Sequence, residues 1–154
     1  MYVLSLPLSY GQRRLIDLVD KRIFAEFCRE REITLSYTYR VATGKFNPQN
    51  TLIWALRDFI HPAQWFYNEG EEYNEIAFKP RKVKEWEYDK TIAMMDFRKK
   101  TTEEIREIAK INDIPYLSLY NVYHGRYAPS FKIILQLKKT YNPELWFMFQ
   151  NERR

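Results

Sequence analysis

The chain repeats itself, and nothing else in the sequence constrains its fold as much. Residues Arg40–Pro48 read RVATGKFNP and Asn121–Pro129 read NVYHGRYAP, with Val, Gly, a basic residue, an aromatic and Pro at the same spacing. The chain has 154 residues and only four glycines, so two in one phrase are informative. Sliding the chain by the 81 residues that separate Gly44 from Gly125 matches 23–66 to 104–147 without a gap. Eleven of those 44 positions are identical: Glu26/Glu107, Ile33/Ile114, Tyr39/Tyr120, Val41/Val122, Gly44/Gly125, Pro48/Pro129, Ile53/Ile134, Leu56/Leu137, Pro62/Pro143, Trp65/Trp146 and Phe66/Phe147. Others are alike in type, such as Phe27/Ile108, Cys28/Ala109, Lys45/Arg126 and Phe46/Tyr127. Rare residues held in register point to a recurring supersecondary unit. The expected organisation is a first unit at 1–67 with an N-terminal arm, a connecting strap at 68–89 and a second unit at 90–154.

Each unit reads as four to five short helices, so the expected class is all-α. In the first, GQRRLIDLVDKRI and FAEFCRERE are helices one and two. TLSYTYRVATG is helix three with Thr34 as its cap, and Asn47 starts a fourth helix that runs through LIWALRDFI. His61-Pro62 breaks that helix before AQWF. In the second, DKTIAMMDFRKK is a helix, and Thr101-x-x-Glu104 forms a capping box for the next. That next helix turns Ile105, Ile108, Ala109 and Asn112 to one face. Pro115 disfavours helical geometry at Ile114, so a new helix starts there and ends near Gly125, where a left-handed residue closes a helix at little cost. SFKIILQLKKTY directs Ile133, Ile134 and Leu137 inward, and PELWFMF closes the bundle after Asn142-Pro143. Leu119, Val122, Thr38 and Val41 should turn inward, Trp65 and Trp146 should be core, and Cys28 should be a buried small residue.

These residues carry a resemblance. Ile108-Ala109, Ile114 at the turn, Val122, Gly125, Arg126, Pro129 and the following apolar helix resemble the lambda-repressor-like (Cro-type) helix-turn-helix family. From Ala109 to Gly125, and from Cys28 to Gly44, the separation is the family's. The resemblance covers about 10–67 and 90–149, and it implies two tandem helix-turn-helix bundles. Three positions depart from the family's phrase. Ala42 and Tyr123 stand where a Glu is usual, Phe24 and Ile105 where a Gln is usual, and Glu32 and Asp113 where the turn usually has Gly.

The resemblance implies a sequence-specific double-stranded DNA-binding protein, a transcription regulator or repressor, with helix three in the major groove. Ser36, Tyr37 and Arg40 in the first unit, and Tyr116, Ser118 and Asn121 in the second, would face base edges. Arg40 suits guanine and Asn121 suits adenine through paired hydrogen bonds. Lys45 and Asn47, with His124, Arg126, Tyr127 and Lys132, surround the Gly bends and would hold phosphates. Two units in one chain would meet successive grooves about 34 Å apart, as a dimer does. The other reading is a helix-turn-helix-fold protein–protein interaction module, a phage- or plasmid-type accessory protein or a homodimer, because Leu35, Tyr37, Tyr116 and Leu117 are apolar or aromatic.

Charge agrees with a polyanionic partner. The net charge is +5; residues 1–80 have ten basic and ten acidic side chains, and 81–154 have fifteen and ten, so the excess lies in the second half. A single cysteine precludes an internal disulfide, and no apolar run approaches a membrane span. A cytoplasmic protein without cofactor or metal is expected. An enzyme is not, because no phosphate-cradling Gly loop, metal-ligand cluster or nucleophile–base pair is visible.

Overall fold

Ser9 opens the first helix with a reciprocal cap. Its hydroxyl accepts from the Gln12 amide at 3.1 Å, and its own amide donates to the Gln12 side-chain oxygen at 2.9 Å. The structure, a computed structural model, describes residues 8–79, 97–148 and Glu152. The chain separates into two compact units, Met1–Asn74 and Glu75–Arg154, so the division falls inside the stretch expected to connect them. The described residues are mostly helical, with no strand among them, which is consistent with an all-α fold. The expected arm at 1–7 lies outside the described residues, as do 80–89 of the strap and 91–96 of the helix expected from DKTIAMMDFRKK.

In the first unit, α1 (Tyr10–Val19), α2 (Arg22–Glu30), α3 (Leu35–Ala42) and α4 (Asn50–Ala55) precede a 3₁₀ turn, η1 (Pro62–Trp65). Leu15, Phe24, Phe27, Cys28, Val41, Ile53, Leu56, Trp65 and Phe66 form the core. Each such side chain is worth about 1.5–3 kcal/mol when withdrawn from water. Helix α1 packs on α3 and η1. There Gln12 Nε2 donates to the Val41 carbonyl at 3.1 Å. Tyr10 N donates to Tyr67 O, Glu69 N donates to Leu8 O, and one antiparallel bridge pairs Ser9 with Asn68. Tyr73 stacks on Tyr67 at 4.5 Å and leans on Tyr10 at 5.3 Å, so residues 68–74 lie against their own unit.

In the second unit a 3₁₀ turn, η2 (Phe97–Lys99), leads to α5 (Thr102–Ile111), α6 (Tyr116–Tyr123), α7 (Phe131–Leu137) and a final 3₁₀ helix, η3 (Pro143–Phe147). The Thr101–Glu104 capping box forms as expected. Phe97, Ile105, Ala109, Leu119, Val122, Ile134, Leu137, Trp146 and Phe147 are buried. Phe97, Tyr141 and Trp146 meet ring to ring at 4.9–5.5 Å.

The matched halves have matched geometry. Four residues separate α2 from α3 and α5 from α6, and in both turns the second residue, Glu32 or Asp113, has φ +55°. Ile33 N donates to Cys28 O and Ile114 N to Ala109 O, each at 2.9 Å. The bends after α3 and α6 place Gly44 at φ +82° and Gly125 at +73°. Thr38, Val41, Leu119 and Val122 are fully enclosed, and Cys28 and Ala109 are buried in corresponding places.

Several boundaries differ from expectation. Asn47 does not begin helix four. Gln49 takes that place and α4 covers only Asn50–Ala55, because Pro48 is buried and the chain stays extended past it. Helix α7 stops at Leu137, and Ile133 is only half-buried. Asn112 caps α5: its amide donates to Ile108 O and to the Thr140 hydroxyl, both at 2.9 Å. His61 does not break helix four, which has already ended at Ala55; it caps η1, where Nδ1 accepts from Ala63 N at 3.1 Å.

Candidate nucleic-acid interface

Helix α6 has one buried edge, an exposed outer edge and two half-buried flanks. Leu119 and Val122 fix the buried edge at 0% exposure, and this leaves Leu117, 65% exposed, on the outer surface. On one flank Tyr116, Tyr120 and His124 fall one turn apart, as i, i+4 and i+8 residues do. Their ring centroids are 5.6 Å and 4.2 Å apart. Arg106 of α5 extends the row, its guanidinium 5.0 Å from the Tyr116 ring. A cation over an aromatic face is attracted to the ring's negative centre.

The other flank is polar. Asn121 donates from Nδ2 to the Tyr127 hydroxyl at 3.1 Å and accepts at Oδ1 from Arg126 Nη1 at 2.7 Å. Arg126 N also donates to Asn121 O at 3.0 Å, so the bend folds back on the helix end. Beside that bend, Arg98 Nη2 donates to the His124 carbonyl at 3.4 Å. A cation there complements the negative end of α6. Tyr123 turns inward instead: its hydroxyl donates to Lys100 O at 2.7 Å and its ring meets Phe97 edge-on. This bond joins α6 to the segment before α5.

Helix α3 is plainer. Thr34 caps it, accepting from Tyr37 N at 3.4 Å. Leu35, Ser36 and Arg40 are exposed. Arg40 leans over the exposed Phe46 ring at 5.7 Å, in the place where the second unit sets Asn121 against Tyr127. Tyr37 is half-buried, and its oxygen accepts from Gln49 N at 2.9 Å. Burial raises its phenol pKa above the usual value, opposed by that amide. Tyr37 therefore braces the loop before α4 and is a weak candidate for meeting base edges.

No protein-family model matches this chain, and neither do known proteins or solved structures. The site therefore rests on its own geometry.

That geometry joins Asn121, Arg126 and Tyr127 into one bonded group and Tyr116 with His124 into one ring row. Ser36, Lys45, Asn47 and Lys132 are exposed, and Ser118 is half-buried; none of their side chains is bonded to another candidate among the described residues. Arg98, Arg106 and Phe46 were missed from sequence. Arg98 and Arg106 lie outside the repeated phrase, and Phe46 had only its match to Tyr127 to mark it. One further pattern is legible in retrospect: no Asp or Glu lies between Glu32 and Asp58, and none between Asp113 and Glu144. Both stretches run from the turn before the third helix to beyond the fourth. Among the described residues no cluster of side chains could hold a metal ion, and no helix is long and apolar enough to cross a membrane.

Proposed function

We propose that this chain is a sequence-specific double-stranded DNA-binding protein, a transcription regulator made of two lambda-repressor-like helix-turn-helix units, with α3 and α6 as groove-entering helices. The observation that carries this reading is the absence of carboxylates from the third helix through the fourth in both halves, while basic side chains cluster at the bends. A carboxylate there would repel phosphate, and its exclusion from two corresponding surfaces suits a polyanion. The four-residue turns and the exposed α6 support the groove geometry. Leu117 suits a thymine methyl group.

The test is fluorescence anisotropy of labelled duplexes at low and rising salt. Binding that weakens steeply as salt increases supports the reading. Unchanged anisotropy and electrophoretic mobility at low salt reject it. The exposed Leu117 and Leu35 also favour a second reading, a protein-interaction module. Leu117→Lys separates the two, because it would abolish an apolar protein contact, whereas non-specific low-salt duplex binding, which rests on phosphates, would persist with only a preference for thymine lost.

A further inference from the structure

Two arginines belong to the Gly125 bend in the second unit. A Cβ built on Gly125 would stand 3.4 Å from Arg98 Nη2, 3.6 Å from Cζ and 3.9 Å from Nη1, so the Arg98 guanidinium lies beside this glycine. The next residue, Arg126, reaches back to Asn121 Oδ1 at 2.7 Å. Both arginines are exposed, and neither meets a carboxylate among the described residues. Each has one side-chain N–H bonded to the protein, to His124 O or to Asn121, out of the five an arginine offers. Two like charges held beside one bend, with donors to spare and no carboxylate partner among the described residues, suit an anion. Guanidiniums suit phosphate oxygens through forked, charge-assisted hydrogen bonds.

We propose that Arg98 and Arg126 form a clamp for one nucleic-acid phosphodiester over the Gly125 bend, with Asn121 as the positioning residue that holds Arg126. This builds on the duplex-binding reading and changes one role within it: Asn121 fixes register and does not read adenine. Its amide already joins Arg126 to Tyr127, whose hydroxyl it bonds at 3.1 Å. Gly125 is needed for φ +73°, whereas a Cβ there would only touch Arg98 at ordinary contact distance.

The experiment measures binding of the full chain to two unrelated duplexes across a salt series. Arg98→Ala and Arg126→Ala should each weaken binding about three- to tenfold on both duplexes, and each should lessen the log K against log salt slope by about one. Asn121→Ala should do the same. Combined with Arg126→Ala it should add nothing, as expected when two residues act through one contact. Circular dichroism spectra that match the wild type keep a folding defect from imitating this, since misfolding does not change a salt slope by one unit. An unchanged slope in Arg98→Ala overturns the clamp. A loss in Asn121→Ala confined to duplexes with adenine at one position overturns the positioning role. If the wild-type chain binds no duplex, titration with inorganic tripolyphosphate, read by the amide NMR shifts of Gly125 and Arg126, separates the two ideas. Shifts that disappear in Arg98→Ala keep the anion clamp and reject only its nucleic-acid ligand. No shift rejects the clamp as well.

Discussion

At the scale of single residues, Glu32 and Asp113 carry the clearest strain. Both have φ +55°, in the left-handed region that disfavours side chains by roughly 1–2 kcal/mol. Glycine relieves this and gives back about 0.5–1 kcal/mol of chain entropy. Glu32→Gly should therefore raise the free energy of unfolding by about 0.5–1 kcal/mol in a denaturant titration. Asp113→Gly should gain less, because a short polar side chain tolerates this geometry better. A loss in either variant would mean that the side chain makes contacts worth more than the strain. Thr101 and Glu104 give a second test. Hydrogen bonds from the Thr101 amide and hydroxyl hold the Glu104 carboxyl below its ordinary value of 4.5. A lowered acid stabilises the fold above its unfolded pKa, and that help is lost as pH falls through the folded one. The stability gap between wild type and Glu104→Gln should therefore be constant near neutrality and close as pH drops below about 4.5. Thr101→Ala should cost about 1 kcal/mol at neutral pH. Both turn positions were visible in the sequence, as departures from a phrase that usually has glycine. The sign of φ was not, because Glu is among the last residues one would place there.

At the scale of elements, the contact between α1 and η1 depends on Gly11. A Cβ there would lie 2.6 Å from Trp65 Cδ2 and 2.7 Å from Cε3, inside contact distance of a ring that is 2% exposed. The indole cannot step aside in a filled core, so Gly11→Ala should destabilise the first unit by about 1–3 kcal/mol and shift its tryptophan emission. An unperturbed emission and unfolding midpoint would show that α1 can move away from η1. The resemblance, together with helical spacing, found the inward sides of α3 and α6 at Leu119, Val122, Thr38 and Val41. Periodicity misplaced the start of α4, where the extended chain around Pro48 delays the helix by a few residues. It also could not tell which exposed residues bond to one another. Asn121, Arg126 and Tyr127 meet only because the Gly125 bend turns the chain back, and Arg98 joins them from η2, well before the phrase begins. Tyr37, three residues before Arg40 on the same helix, is occupied in bracing Gln49.

At the scale of the whole molecule, corresponding positions carry different chemistry. Arg126 in the second unit corresponds to Lys45 in the first, and Asn121–Tyr127 to Arg40–Phe46. At the same offset the residue matching Arg98 is Asp17, an exposed acid on α1. The first 80 residues have no net charge and the remainder carry the +5. A polyanion should therefore be held more strongly by the second unit, and equivalent substitutions should not be equivalent in effect. In the full chain, Arg126→Ala should reduce duplex affinity several-fold more than Lys45→Ala. A lysine is a single hydrated charge on a flexible stem, whereas Arg126 is a planar fork already held by Asn121. Lys45 has no such bonded neighbour among the described residues and retains more rotamer freedom, which opposes contact formation. Losses of equal size, with equal changes in salt slope, would mean that both bends meet phosphate alike and that the charge difference between the halves serves something other than affinity.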